Sequence, residues 1–173
     1  NKLIMYNGFH LPNNQINTQV FQPIGGTIQP WRKPTGAKLI HIVCIGGGGG
    51  GGGGFTRAAG VAGGGGGGGG SSAITRMTID ASLLPNMLYV AVGMGGAGGT
   101  GAGVAGGISY VYMPLTSGFT SPGSILLQSS ASAPGGGGVG TTAVGGPAGA
   151  GGTISISPTW GSLGTWTSIA GQA

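Results

Sequence analysis

Acidic side chains are almost absent from this chain: Asp80 is the only one among 173 residues. Acid–base catalysis by paired carboxylates needs two such groups and is excluded. The single cysteine, Cys44, excludes an intrachain disulfide framework and every multi-cysteine zinc site. Two histidines, His10 and His41, with one acid and one thiol do not make a convincing metal site. Charged residues of all kinds amount to 4% of the chain, where a typical soluble protein has about 25%. The longest apolar run, Leu39 to Ile45, is far shorter than the roughly 20 residues a membrane-spanning helix requires. The N-terminal segment has no apolar core of signal-peptide length. We therefore expect a soluble chain, or a soluble part of something larger, with no membrane insertion.

The charge that remains is basic. Lys2, Arg32, Lys33, Lys38, Arg57 and Arg76 give a formal net charge of +5. That balance allows weak attraction to an anionic surface such as a polysaccharide. Only Arg32, Lys33 and Lys38 cluster, and no basic stripe runs beside aromatic residues, so nucleic acid is not expected as a partner.

What the chain has in abundance is glycine, 46 residues of it. The first 34 residues are a polar leader, rich in Asn and Gln and punctuated by Pro12, Pro23, Pro30 and Pro34. Proline at this density argues for extended or turn conformations over helix. The leader suits an assembly arm or a flexible connection. The body, 35–173, alternates short β-type segments with glycine tracts. Leu39–Ile45 is apolar and rich in β-branched residues, as a buried strand is. It runs straight into nine glycines, Gly46 to Gly54. An eight-residue connector, Phe55 to Ala62, precedes eight more, Gly63 to Gly70. Ala73 to Asp80 alternates like a half-buried strand, and Leu88–Val92, Ile108–Met113, Ser124–Gln128 and Thr153–Ser157 read as further strands. A third glycine segment spans 93–107 and a fourth 134–152. No segment has the 3.6-residue apolar period of an amphipathic helix. The fold class expected is all-β, with no α-helix of consequence. Its core is drawn from Leu39, Ile40, Ile42, Ile45, Ile74, Ile79, Leu88, Val90, Val92, Ile108, Val111, Ile125, Leu127, Ile154 and Ile156. Cys44 reads as core, and His41 as lying on the other face of its strand from Ile40 and Ile42.

A run of glycine with nothing else in it is either a flexible linker or a packed backbone. Three features favour packing. The first tract has no serine or charge mixed in, both early tracts join apolar strands directly, and their nearly equal lengths suit a matched hairpin. The ordered form is polyglycine II, a threefold helix rising about 3.1 Å per residue, so that nine residues extend about 28 Å. It makes no internal hydrogen bonds, and neighbours must satisfy its peptide groups laterally. Gly46, Gly50, Gly54, Gly63, Gly66 and Gly70 mark the two tracts expected to do this. In the third tract, glycine at 93, 96, 99 and at 95, 98, 101 keeps glycine-only faces while exposing Met94, Ala97 and Thr100. Connectors between such helices emerge together at one end, where short loops on a rigid scaffold can bind. Phe55, Thr56 and Arg57 are the candidate contact residues.

Phosphate and dinucleotide sites find no support. Glycine runs match G-x-G-x-x-G by accident, no Lys-Ser/Thr follows them to open a helix, and no βαβ unit is present. An enzyme is not expected, and neither is a cofactor or a metal.

The lead-in Trp31-Arg32-Lys33-Pro34-Thr35-Gly36-Ala37-Lys38, the strand Leu39–Ile45 and the glycine run behind it resemble the opening of glycine-rich domains in bacteriophage tail-fibre and related virion proteins. The strand Leu88–Val92 ending in Gly93-x-Gly95-Gly96-x-Gly98-Gly99 is similar to that family's second strand-to-glycine junction. The resemblance covers Trp31 to Ser157. It implies a small β-sandwich whose glycine-rich inserts form a polyglycine II bundle, with loops at the bundle tip touching the host surface. The function implied is that of a virion structural protein, a tail-fibre or fibre-tip protein recognising host-surface polysaccharide or an outer-membrane protein. Partners would include other virion proteins and further copies of the chain, as in a homotrimer. The protein would be made in the host cytoplasm and sit on the outer surface of the virion. A capsid decoration or fibre protein that stabilises the particle without binding a receptor is the alternative. An ice-binding protein built on bundled polyglycine helices is a remoter one, since only the third tract approaches the glycine-every-third spacing expected of it.

Overall fold

A computed structural model describes residues 3–7, 15–113, 125–129, 140–141, 144–154 and 163–173. Nine strands occur among them: β1 (Leu3–Asn7), β2 (Gln15–Gln19), β3 (Gln29–Arg32), β4 (Leu39–Ile45), β5 (Ile74–Asp80), β6 (Met87–Ala91), β7 (Tyr110–Tyr112), β8 (Ile125–Gln128) and β9 (Gly164–Ile169). One 3-10 turn, Ala81–Leu83, is the only helical element among the described residues. Every pairing is antiparallel. The hairpin β1–β2 forms a sheet by itself, and two larger sheets have the orders β3-β6-β7-β8 and β4-β5-β9.

Turn chemistry fixes the entry into the body. Gly25 and Gly26 both have positive φ, 51° and 78°, and the Thr27 amide donates to Ile24 O at 2.8 Å, the arrangement of a type I′ turn. At Pro34-Thr35-Gly36-Ala37 the Ala37 amide reaches Pro34 O at 3.2 Å. Gly36, with φ 80°, takes the position a type II turn reserves for glycine. Lys33 Nζ donates to Ala81 O and Leu84 O at 2.8 and 2.7 Å, tying this lead-in to the 3-10 turn.

The two larger sheets enclose one core. Ile40, Cys44, Met77 and Ile79 come from β4 and β5, and Leu88, Val111, Leu126 and Leu127 from the opposing sheet. This is a sandwich-like arrangement in which each sheet turns one face inward. Ile40, Ile79, Leu88, Val111 and Leu127 are buried as expected, and Ile42 packs against the cluster. Leu39, Ile45 and Ile154 are not core residues: they are 67%, 51% and 44% exposed. The six apolar residues of the seven in β4 imply burial on both faces, yet its sheet is covered on one side only, so the two-residue period puts Leu39, His41, Val43 and Ile45 outward. Thr153 and Ile154 lie outside any strand, and Ser155 to Ser157, including Ile156, fall outside the described residues.

The glycine tracts extend from the sheets as a laterally bonded bundle. In the first tract the amides of Gly47, Gly50 and Gly53 donate to Gly107, Val104 and Gly101 at 2.7–2.8 Å. Those of Gly49, Gly52 and Phe55 donate to Gly70, Gly67 and Gly64 at 2.8–2.9 Å. The carbonyls of Gly48 and Gly51 accept from Gly96 and Gly99. Each row of every third residue therefore serves a different neighbour, which is what a threefold backbone dictates. The second tract is bonded on its other side by the fourth, whose Gly146 and Gly149 amides reach Gly65 and Gly68 O at 2.7 and 2.8 Å. Residues 93–99 and 101–107 run antiparallel to each other, joined by Val104 N to Ala97 O and Gly107 N to Met94 O.

Bundle and sandwich share a junction. The buried Ser109 donates from Oγ to Ile45 O at 2.7 Å and accepts from the Gly93 amide at 2.9 Å. Its own amide donates to Ser129 Oγ at 3.1 Å, and the Cys44 thiol donates to Ser109 O at 3.3 Å.

Candidate functional site

Glycine is required at many bundle positions by close approach, not by conformation. A Cβ added at Gly47, Gly50 or Gly53 would collide with the backbone of Met94, Ala97 or Thr100. One at Gly66 or Gly69 would strike Gly52 or Gly49, and one at Gly67 or Gly70 would strike Pro147 or Ala150. Among the candidate glycines, Gly50, Gly66 and Gly70 are thus held against backbone. A Cβ at Gly46 would meet Ser129 Oγ at 2.8 Å, at Gly63 it would meet Phe55 O at 3.1 Å, and at Gly54 an ordinary contact of 3.4 Å. Gly65 and Gly68 face open space.

One end of each tract adjoins a strand: Gly46 follows β4, Gly70 leads to β5, and 93–107 connects β6 to β7. The opposite ends gather the connectors into a tip. Phe55 N donates to Gly64 O at 2.9 Å, Gly64 N to Thr141 O at 2.9 Å, and Gly140 N to Gly53 O at 3.0 Å. The 55–62 connector therefore lies beside Thr141 and Val144, and close to the turn at Thr100–Gly101, whose Gly101 O accepts from Gly53.

Phe55, Thr56 and Arg57 are all exposed at this tip. The Arg57 guanidinium carbon stands 5.2 Å from the centre of the Phe55 ring, a cation–π pairing that holds two flexible side chains together. Val61 and Val144, 50% and 65% exposed, extend the apolar surface. The connector turns at Gly60, φ 84°, where Val61 N reaches Ala58 O at 3.3 Å. Sequence reasoning identified Phe55, Thr56 and Arg57 from the connector alone. It did not bring Val144 to this end of the bundle, because that placement comes from the lateral bond of Gly64 to Thr141 and not from any local signal.

Burial pushes the Cys44 thiol up to about 12, so it stays protonated and unreactive at neutral pH. The Asp80 carboxylate accepts from the Ser82 amide at 2.7 Å, and hydrogen bonding to the Ser82 hydroxyl, with that to its amide, holds it below the usual carboxylate range; it caps the 3-10 turn. Burial likewise raises Tyr112. Among the described residues no group of three or more His, Cys, Asp or Glu side chains could hold a metal ion. The arrangement presents a side-chain-poor shaft, bonded laterally through its backbone, with a small amphipathic tip.

Comparison with curated proteins and with solved structures gives no match. The family model of a glycine-rich domain matches residues 23–173, the leader's last residues and the whole body, and the chain belongs to that glycine-rich domain family.

Proposed function

We propose that this chain is a bacteriophage virion protein, a tail-fibre or fibre-tip component whose glycine bundle carries the Phe55-Thr56-Arg57 connector to the host surface. The observation that supports this reading most is the tip itself. Connectors far apart in sequence meet at the end remote from the sheets and leave Phe55, Val61, Val144 and Arg57 exposed on a scaffold tied by lateral backbone bonds. Binding residues concentrate on loops of this kind. An exposed apolar cluster with one unopposed cation suits a polysaccharide or an outer-membrane protein carrying negative charge. The few charges and the single, buried cysteine suit a protein made in a reducing cytoplasm and then exposed outside the cell. Assembly with other virion proteins and with further copies of the chain belongs to the same proposal, as does a place on the outer face of the particle.

The test is competition for host cells. The purified chain should reduce phage adsorption, and Phe55→Ala with Arg57→Ala should abolish that competition while leaving the melting temperature unchanged. Immunogold labelling should place the chain at the fibre end. Labelling of the capsid, with binding to the particle and none to cells, would replace the attachment reading with a decorative one.

A further inference from the structure

A shallow groove lies on the outward face of the β4-β5-β9 sheet, away from the tip. Pairing register sets its layout. His41, Thr78 and Thr165 stand side by side across the three strands, as do Val43, Arg76 and Thr167. They line a shallow groove of about 540 Å³, and Trp166 contributes to its wall. The chemistry of the groove is one-sided. His41 Nδ1 and Thr78 Oγ1 are 2.8 Å apart, which orients the imidazole. Arg76 adds a guanidinium fork from the central strand, where the backbone is bonded on both sides. The chain's one acidic side chain, Asp80, stands at the far end of β5 and is occupied by the Ser82 amide. The groove therefore offers a cation and several hydroxyls to a partner with no carboxylate of its own to answer them.

We propose that this groove binds an acidic polysaccharide, a sugar chain carrying carboxylates, with Arg76 taking the carboxylate. The guanidinium matches a carboxylate in two parallel hydrogen bonds. Thr78, Thr165 and Thr167 place hydroxyls at pairing and strand spacings of about 5 and 7 Å, a spread suited to a polyhydroxylated chain lying across the strands. Val43 offers apolar surface to the carbon-bound faces of sugar rings. An open groove across a rigid sheet suits a polymer that continues past both ends. The inference rests on the surface-attachment reading only for the source of such a glycan.

Titration calorimetry of the whole chain with oligogalacturonate tests it, with dextran, polyphosphate and phosphatidylglycerol vesicles as comparisons. Oligogalacturonate should bind, and more weakly as salt is raised. Arg76→Ala should weaken binding by about tenfold or more, Arg76→Lys should fall between, and Thr167→Val should weaken it independently. The proposal is overturned if oligogalacturonate does not bind, if dextran, polyphosphate or vesicles bind as well or better, or if Arg76→Ala and Thr167→Val, folded by circular dichroism, both bind like the parent. Lost cell competition with intact oligogalacturonate binding would sink the attachment reading alone; the reverse would sink the groove alone.

Discussion

Gly65 and Gly66 are identical in the sequence and opposite in the structure. A methyl group at Gly66 would collide with the carbonyl of Gly52, whereas one at Gly65 meets nothing. Gly50 repeats the first case against Ala97. Alanine at Gly50 should therefore cost about 3 kcal/mol, the scale of overpacking a close-packed interior. At Gly65 it should be neutral or gain about 0.5 kcal/mol, because alanine has less unfolded-state freedom to lose. Chemical denaturation of the two variants gives the comparison, and equal stability would remove the case for close packing. Cys44 provides a second residue-scale test. Its thiol is pushed up to about 12 when folded, from 9.0. A raised value contributes stability that is complete below the unfolded pKa and lost as pH rises toward the folded one. Stability should hold to about pH 9 and then fall by up to about 1.4 kcal/mol per pH unit. Thiol labelling of the native chain should stay slow throughout that lower range.

At the scale of the element, the first tract makes a periodic prediction. Gly47, Gly50 and Gly53, with Gly49 and Gly52, give their amides to neighbouring segments, while Gly48, Gly51 and Gly54 are exposed and donate none of the bonds between described residues. Amide exchange should be slow at the first five and fast at the last three, a three-residue beat. Uniformly fast exchange would mean a flexible linker. The tracts and the strands β4, β5 and β6 were legible in the sequence because runs of glycine and of β-branched residues are strong local signals. Other features were not, among them β1 and β2 in the polar leader. β9, Gly164–Ile169, is an edge strand with threonine or serine at three of its six positions, so no apolar alternation marks it. β3 contains Pro30, which demotes a strand in any local reading, yet it is tolerated because β3 is the edge of its sheet. The outward turn of Leu39 and Ile45 depends on which sheet face is left uncovered, and that is a property of topology. The tip residues Phe55, Thr56 and Arg57 were legible as a connector. The groove over β5 was not, because Thr165 and Thr167 reach Arg76 and Thr78 only through the pairing of β9.

The whole molecule joins two materials at Ser109. The sandwich is held by a core of aliphatic and sulfur-containing side chains, the bundle by peptide-to-peptide bonds. Because Ser109 bonds to Ile45 and Gly93, where two tracts leave the sheets, the parts should unfold together, in one calorimetric transition with equal calorimetric and van't Hoff enthalpies. Two separate transitions would show that the bundle is an independent appendage.

That division has a thermal consequence. Exposing apolar surface raises the heat capacity of unfolding, and exposing peptide groups lowers it. A chain with so large a share of its structure in bare backbone should therefore show a heat-capacity increment per residue well below the usual ~12–15 cal/mol/K. Its stability curve would be shallow, and cooling would weaken it far less than it weakens an ordinary oil-cored domain.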